Sequence, residues 1–202
     1  MKTISDFLEK REKLFPFLFV SFNPWQLGDG WYKVEGRGIN ATCWSKESAS
    51  YYLKGDGNYL IINYNVINEQ IKVKPLKFKV FFNGKLVGKE EETEPGWKLR
   101  AYKIKPREIN EIRIKTSIFV PHFANGGGDM RELGVMFNYS GLFKKNHPLV
   151  LESLKRKEIE NINKMLKERI IKNTILKKED FKLNLIKPVY DNVLEKYKDI
   201  IL

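Results

Sequence analysis

The sequence predicts a mainly β chain: an antiparallel β-sandwich of jelly-roll type, with an N-terminal helix and C-terminal helices. Three observations carry that prediction. Between residues 28 and 142, apolar residues recur with a period of two in short runs broken by Gly, Pro, Asn and Asp. Asn83-Gly84, a favoured type I′ turn, joins two of these runs into a hairpin. From residue 148 the apolar period changes to three and four. A chain of 202 residues is long enough to bury a substantial core. The expected organisation is a helix and docking segment over 1–27, a sandwich over 28–142 and a helical appendage over 146–202.

In chain order, Thr3 or Ser5 caps an amphipathic helix over 3–14, with Ile4, Phe7, Leu8 and Leu14 near helical spacing and Pro16 ending it. Phe15 to Val20 is too apolar to stay in water and is expected to dock on the sandwich. Trp31-Tyr32-Lys33-Val34 reads as a short strand. Further runs follow at Thr42-Cys43-Trp44 and Ala49 to Leu53. Tyr59 to Val66 alternates, with Leu60, Ile62, Tyr64 and Val66 on one face. Phe78, Val80 and Phe82 lead into the Asn83-Gly84 turn, and Lys85-Leu86-Val87 returns. An acidic stretch from Glu90 to Glu94 reads as a loop before the Trp97–Ile104 run. Glu111 to Thr116 alternates charge and apolar, and Leu133 to Tyr139 forms the last strand. About eight strands with no helical pattern between them point to the sandwich. Asn146-His147-Pro148 then opens a helix over 148–172, whose stripe of Leu151, Leu154, Ile159, Ile162, Met165, Leu166 and Ile170 should pack on the sandwich; a second helix is expected over 188–200.

Composition narrows the function classes. One cysteine, Cys43, excludes an internal disulfide framework, and two histidines argue against a His-based metal centre. No apolar run approaches the roughly 18 residues of a membrane span, and the expectation is a cytoplasmic protein. The net charge of +12 is consistent with nucleic-acid binding. The lysines are dispersed, however, without an arginine block or a nucleic-acid motif, so solvated surface charge is the better account.

Two constellations could bind a ligand. Asp129, Arg131 and Glu132 follow three glycines, Gly126 to Gly128. A guanidinium clamps a carboxylate through two hydrogen bonds, and glycine-rich backbone offers amides. The group either grips hydroxyls or an anion, or it locks the loop through a pair such as Arg131 with Glu35 or Glu47. Trp31, Trp44 and Trp97 supply flat apolar faces with a donor at the rim. Beside carboxylates and an arginine that suits sugars, which combine apolar C–H faces with hydroxyl edges; the alternative is that the rings fill the space between the sheets. Catalytic residues are not expected. Glu35, Glu47, Asp129 and Glu132 could pair for glycoside hydrolysis, but nothing fixes a separation. There is no nucleophile motif and no Gly-Lys-Ser/Thr phosphate loop. No cofactor or metal is expected, a calcium site at Asp129 lacking a ligand cluster.

Gly30-Trp31-Tyr32 with Glu35, Trp44-Ser45 with Glu47, Ala49 and Tyr52-Leu53, Asn83-Gly84 with Val87-Gly88, Trp97, Phe119-Val120-Pro121, and Gly128-Asp129-Met130-Arg131-Glu132-Leu133-Gly134-Val135 occur in this order. Over residues 28–142 this resembles an uncharacterised β-sandwich, carbohydrate-binding-like and galactose-binding-like, found beside glycosyltransferases and methyltransferases of surface-polysaccharide assembly. The resemblance implies a non-catalytic accessory domain whose ligand-binding positions are Trp31, Glu35, Trp44, Asp129, Arg131 and Glu132. It also implies a glycan or a glycan-assembly enzyme as partner. Cys43 stands where that pattern has Arg, with Arg37 nearby as a substitute. The chain shows no transferase pattern of its own, so it reads as a partner acting in trans or a piece of a larger enzyme. The alternative is a scaffolding module that docks a partner through its helical tail; nucleic-acid binding is the third reading.

Overall fold

The computed structural model describes residues 14–67, 70–71 and 74–176, with side chains through residue 166. Among them are nine strands in two antiparallel sheets. Strands β1 (Phe17–Phe19), β2 (Cys43–Trp44), β4 (Tyr59–Val66), β7 (Gly96–Lys103) and β9 (Met136–Phe143) make one sheet, ordered β1-β9-β4-β7 with β2 also paired to β9. The other contains β3 (Ser48–Lys54), β8 (Ile109–Thr116), β5 (Leu76–Phe82) and β6 (Lys85–Glu92), in the order β3-β8-β5-β6. From β3 to β9 each strand passes to the opposite sheet except at the β5–β6 hairpin, which matches the expected sandwich.

Alternation places the core. Leu60, Ile62, Tyr64 and Val66 of β4 meet Leu76, Phe78, Val80 and Phe82 of β5 and Ile112 and Ile114 of β8, all buried. Tyr64 and Phe78 stack with centroids 4.3 Å apart. Truncating such a buried ring to alanine typically costs about 3–5 kcal/mol. The hairpin turn has φ of 48° at Asn83 and 80° at Gly84, the left-handed pair that a type I′ turn needs.

The outer face of the five-stranded sheet holds a second apolar layer. Tyr59, Ile61 and Leu99 pack with Val150, Leu149 and Leu154 from the start of a long helix spanning Pro148–Leu176. Ser153 Oγ donates to Leu99 O at 3.0 Å. This explains the unbroken Tyr59-Leu60-Ile61-Ile62 run: both faces of β4 are covered there. Leu151, expected in the packed stripe, is 46% exposed, because Val150 and Leu154 take the inward positions.

Several boundaries differ from the expectation. The Phe15–Val20 segment contributes a strand, β1, whose Phe17 to Phe19 pair with Gly141 to Tyr139. Trp31 to Val34 is not a strand; Trp31 bridges Ser45 and Glu35 bridges Thr42. β6 continues through the acidic stretch, Leu76 pairing with Glu92. β9 begins at Met136, because Leu133 pairs with Phe119 instead. Pro121–Asn125 forms a short helix ahead of the glycines. Apart from Leu14, the expected helix over 3–14 lies outside the described residues, as does the one over 188–200. Among the described residues no helix is long and apolar enough to cross a membrane.

Candidate functional site

The end of the sandwich near Ser45 is built by three segments held backbone to backbone. Phe119 and Leu133 exchange N–H···O bonds of 2.9 Å each. Gly134 N donates to Ser45 O at 2.7 Å, Ser45 N to Val135 O at 3.0 Å, and Val135 N to Ser45 Oγ at 3.0 Å. Gly134 is required by this close approach: a Cβ there would lie 2.4 Å from both Ser45 Oγ and Thr116 Cγ2. Trp44, Phe119 and Leu133 are buried beneath, with Tyr32, Ile67, Ala124 and Met136 packed around them.

Above this floor Arg131 is gripped from two sides. Its Nε donates to Asp129 Oδ1 at 3.0 Å and its Nη2 to Asp129 Oδ2 at 2.8 Å. Its Nη1 donates to Glu35 Oε1 at 2.9 Å. The Arg131 backbone N–H also donates to Asp129 Oδ1, at 3.0 Å. The guanidinium carbon lies 5.3 Å from the Tyr32 ring centroid, and Lys46 Nζ lies 5.6 Å from it. Tyr32 Oη donates to the Glu132 carbonyl at 3.1 Å. One loop is thus tied across the chain to the 32–35 segment. Of Glu35 and Glu47, Arg131 pairs with Glu35. Glu47 is exposed and gives its carbonyl to Thr116 N.

The electrostatics follow from the hydrogen bonds. Side-chain and then backbone bonds from Arg131 hold the Asp129 carboxyl below its usual range. The same carboxylate, then Glu35, push the Arg131 guanidinium further up. Both carboxylates are open to solvent, with side-chain exposures of 33% for Asp129 and 47% for Glu35. Each carboxylate has more acceptor sites than Arg131 fills.

For the tryptophans the sequence leaves two readings open, and the structure gives Trp31 and Trp44 the interior one. Trp44 is buried, its ring edge-on to Phe119 at 6.0 Å. Trp31 is half-buried between Tyr51 and Phe137, and its Nε1 donates to Ser50 O at 2.6 Å. Both tryptophans fill interior space, and neither offers a free face beside Arg131. Trp97 is 48% exposed on β7, the edge strand of the five-stranded sheet. The exposed apolar groups on the loop that carries Arg131 are Phe123, 77% exposed, and Met130, 60% exposed. The backbone beside Phe123 is tied to that of Asp129, because His122 N donates to Asp129 O at 2.9 Å and His122 Nδ1 donates to Gly127 O at 2.6 Å. The short helix then closes with Gly126 in the left-handed region, φ 74°. An exposed Phe on a five-residue helix carries no periodic signal, so the sequence alone does not mark it.

Glu132, the last predicted position, is exposed and enters through its carbonyl. Cys43 is buried, and burial first, then Glu35, pushes its thiol up, so it is inert rather than nucleophilic. Among the described residues no cluster of three or more His, Cys, Asp or Glu could hold a metal.

No protein-family model matches this chain, and no curated protein does. Among solved structures, it is similar to the catalytic unit of a thermostable alpha-1,3-glucanase from Streptomyces thermodiastaticus, with TM-score 0.41 and 9% identity over 64% of this chain and 26% of that one. It is also similar to the CBM51-2 and INT domains of Clostridium perfringens ZmpB, with TM-score 0.34 and 13% identity over 67% and 29%. An acetyl xylan esterase from Butyrivibrio proteoclasticus gives TM-score 0.35 and 9% identity over 64% and 32%. The chain spans less than a third of the length of each. At these TM-scores and identities they fix neither its fold nor its ligand.

Proposed function

We propose that this chain is a non-catalytic β-sandwich that binds carbohydrate at the Arg131 end, as an accessory to glycan assembly. The observation that carries the reading is that solvent-open Asp129 and Glu35, both tied to Arg131, accompany the exposed ring of Phe123 on the loop that carries Asp129. Hydroxyls donate to carboxylates, and an exposed ring covers a sugar's C–H face. A depressed carboxyl pKa is the reverse of what a general acid needs, which favours binding over glycoside hydrolysis. Action beside a glycan-assembly enzyme rests on the likeness of the Gly128–Val135 motif.

A glycan array with the full chain tests this. Binding should be retained by wild type and lost by Phe123→Ala and Asp129→Asn, both of which still melt cooperatively. A blank array, or variants that bind as wild type does, sinks the reading. One observation favours a second reading, a docking tail: the long helix continues to Leu176 and leaves Met165 54% exposed. Met165→Glu should then abolish association with a partner while leaving glycan binding intact.

A further inference from the structure

The outer face of the four-stranded sheet carries a second feature. Alternation along β5 and β8 turns Phe78, Val80, Ile112 and Ile114 inward and Lys77, Lys79, Arg113 and Lys115 outward. The ladders set Lys79 opposite Lys115 on one side and opposite Lys89 on the other. Three exposed lysines therefore stand in one row across β8, β5 and β6. Ser48 of β3 ends the row, opposite Lys115. Among the described residues none of the three lysines joins an ion pair. The neighbouring acids are placed elsewhere: Glu111 holds Arg113 at 2.7 Å, and Glu91 stands opposite Lys77.

Like charges directly opposite each other destabilise a sheet, and here Lys79 takes part in two such pairs. Folding alone does not favour that arrangement; an anionic partner does. Adjacent strands lie about 4.8 Å apart, so the cations repeat at about that step along a line. We propose that this row binds a linear acidic polysaccharide, whose successive carboxylates meet Lys115, Lys79 and Lys89. A line of point charges without a cleft suits a chain with one anion per ring. The row offers no open ring for a nucleic-acid base, because Phe81 is half-buried with Lys115 Nζ 5.9 Å from its centroid. Its nearby arginine is already held by Glu111, which removes bidentate phosphate recognition. Leu86, 54% exposed, is too small an apolar anchor for stable membrane attachment. The surface lies on the outer face of the other sheet, and the proposal does not depend on sugar binding at Arg131.

The test titrates the full chain with polygalacturonate, neutral dextran, single-stranded DNA and phosphatidylserine vesicles. Polygalacturonate should bind, more weakly as salt rises, and dextran should not. The double variant Lys79→Gln/Lys115→Gln should bind polygalacturonate roughly tenfold more weakly, within the range of two exposed ion pairs. Its melting temperature should be unchanged or higher, because like-charge repulsion is relieved. The charge-matched pair Lys103→Gln/Lys105→Gln should bind as wild type does. Absence of polygalacturonate binding, an equal loss in the control pair, or tighter binding of DNA or vesicles would each overturn the proposal.

Discussion

Two arginines in this molecule are clamped by carboxylates, and they differ in almost every other respect. Arg100 and Glu92 face each other between the edge strands β7 and β6, at 4% and 7% side-chain exposure and 2.9 Å apart. Tyr64 Oη donates to the same carboxylate at 2.7 Å, and Lys98 Nζ stands 3.8 Å from it. Arg131 keeps a similar distance to Asp129 and Glu35, yet it is 38% exposed. The same chemistry is a sealed plug at one place and an open, water-facing surface at the other. Buried, the charges have no substitute for each other; exposed, water replaces either one, and the carboxylates can exchange water for a ligand.

The comparison yields graded outcomes. Glu92→Ala leaves the Arg100 charge buried without its main partner and should cost about 3–5 kcal/mol in denaturant unfolding. A loss below about 1 kcal/mol would show that water reaches the plug. Replacing both charges, Arg100→Met with Glu92→Met, should recover most of that loss, since a well-packed apolar pair is often neutral or better. Arg131→Ala should lower the melting temperature by less than about 4 °C. It should nevertheless speed amide exchange across residues 126–134, whose cross-chain tie it removes. A large drop in melting temperature with unchanged exchange would make Arg131 a core element instead.

The smallest effect concerns pH. Arg131 holds the Asp129 carboxyl below its ordinary value of 3.8. A group depressed in the folded state stabilises that state above its unfolded value, and the stabilisation is lost as pH falls through the folded one. The window therefore opens at the ordinary aspartate value and extends to more acidic pH, with no effect near neutrality. An NMR titration should find the Asp129 midpoint below the ordinary value, returning to it in Arg131→Met.

The sequence made the two clamps unequally legible. Arg131 is visible because Asp129 lies two residues away beside a glycine run, and Glu35 is one of two upstream carboxylates that could reach it. Arg100 was hidden because an acidic run and an alternating Lys98-Leu99-Arg100 segment look solvated; only the closure of two edge strands buries them. Strands β4, β5 and β8 and the Asn83-Gly84 turn could be read because alternation and turn chemistry are local. β1 could not, since its three residues become a strand only through pairing with β9. The tryptophans stay ambiguous in the sequence for a related reason: ring chemistry is the same in a core and at a rim, and depth is set by the packing of distant residues such as Phe119 and Phe137.

Residue-resolved chemical-shift mapping, with a sugar identified on the array, tests the central claim most directly. Saturable shifts should gather at Tyr32, Glu35, Phe123 and Asp129 to Glu132, be abolished in Phe123→Ala and be absent around Glu92 and Arg100. Shifts gathered elsewhere on the sandwich, or unchanged in that variant, would contradict it and leave Arg131 as a lock alone.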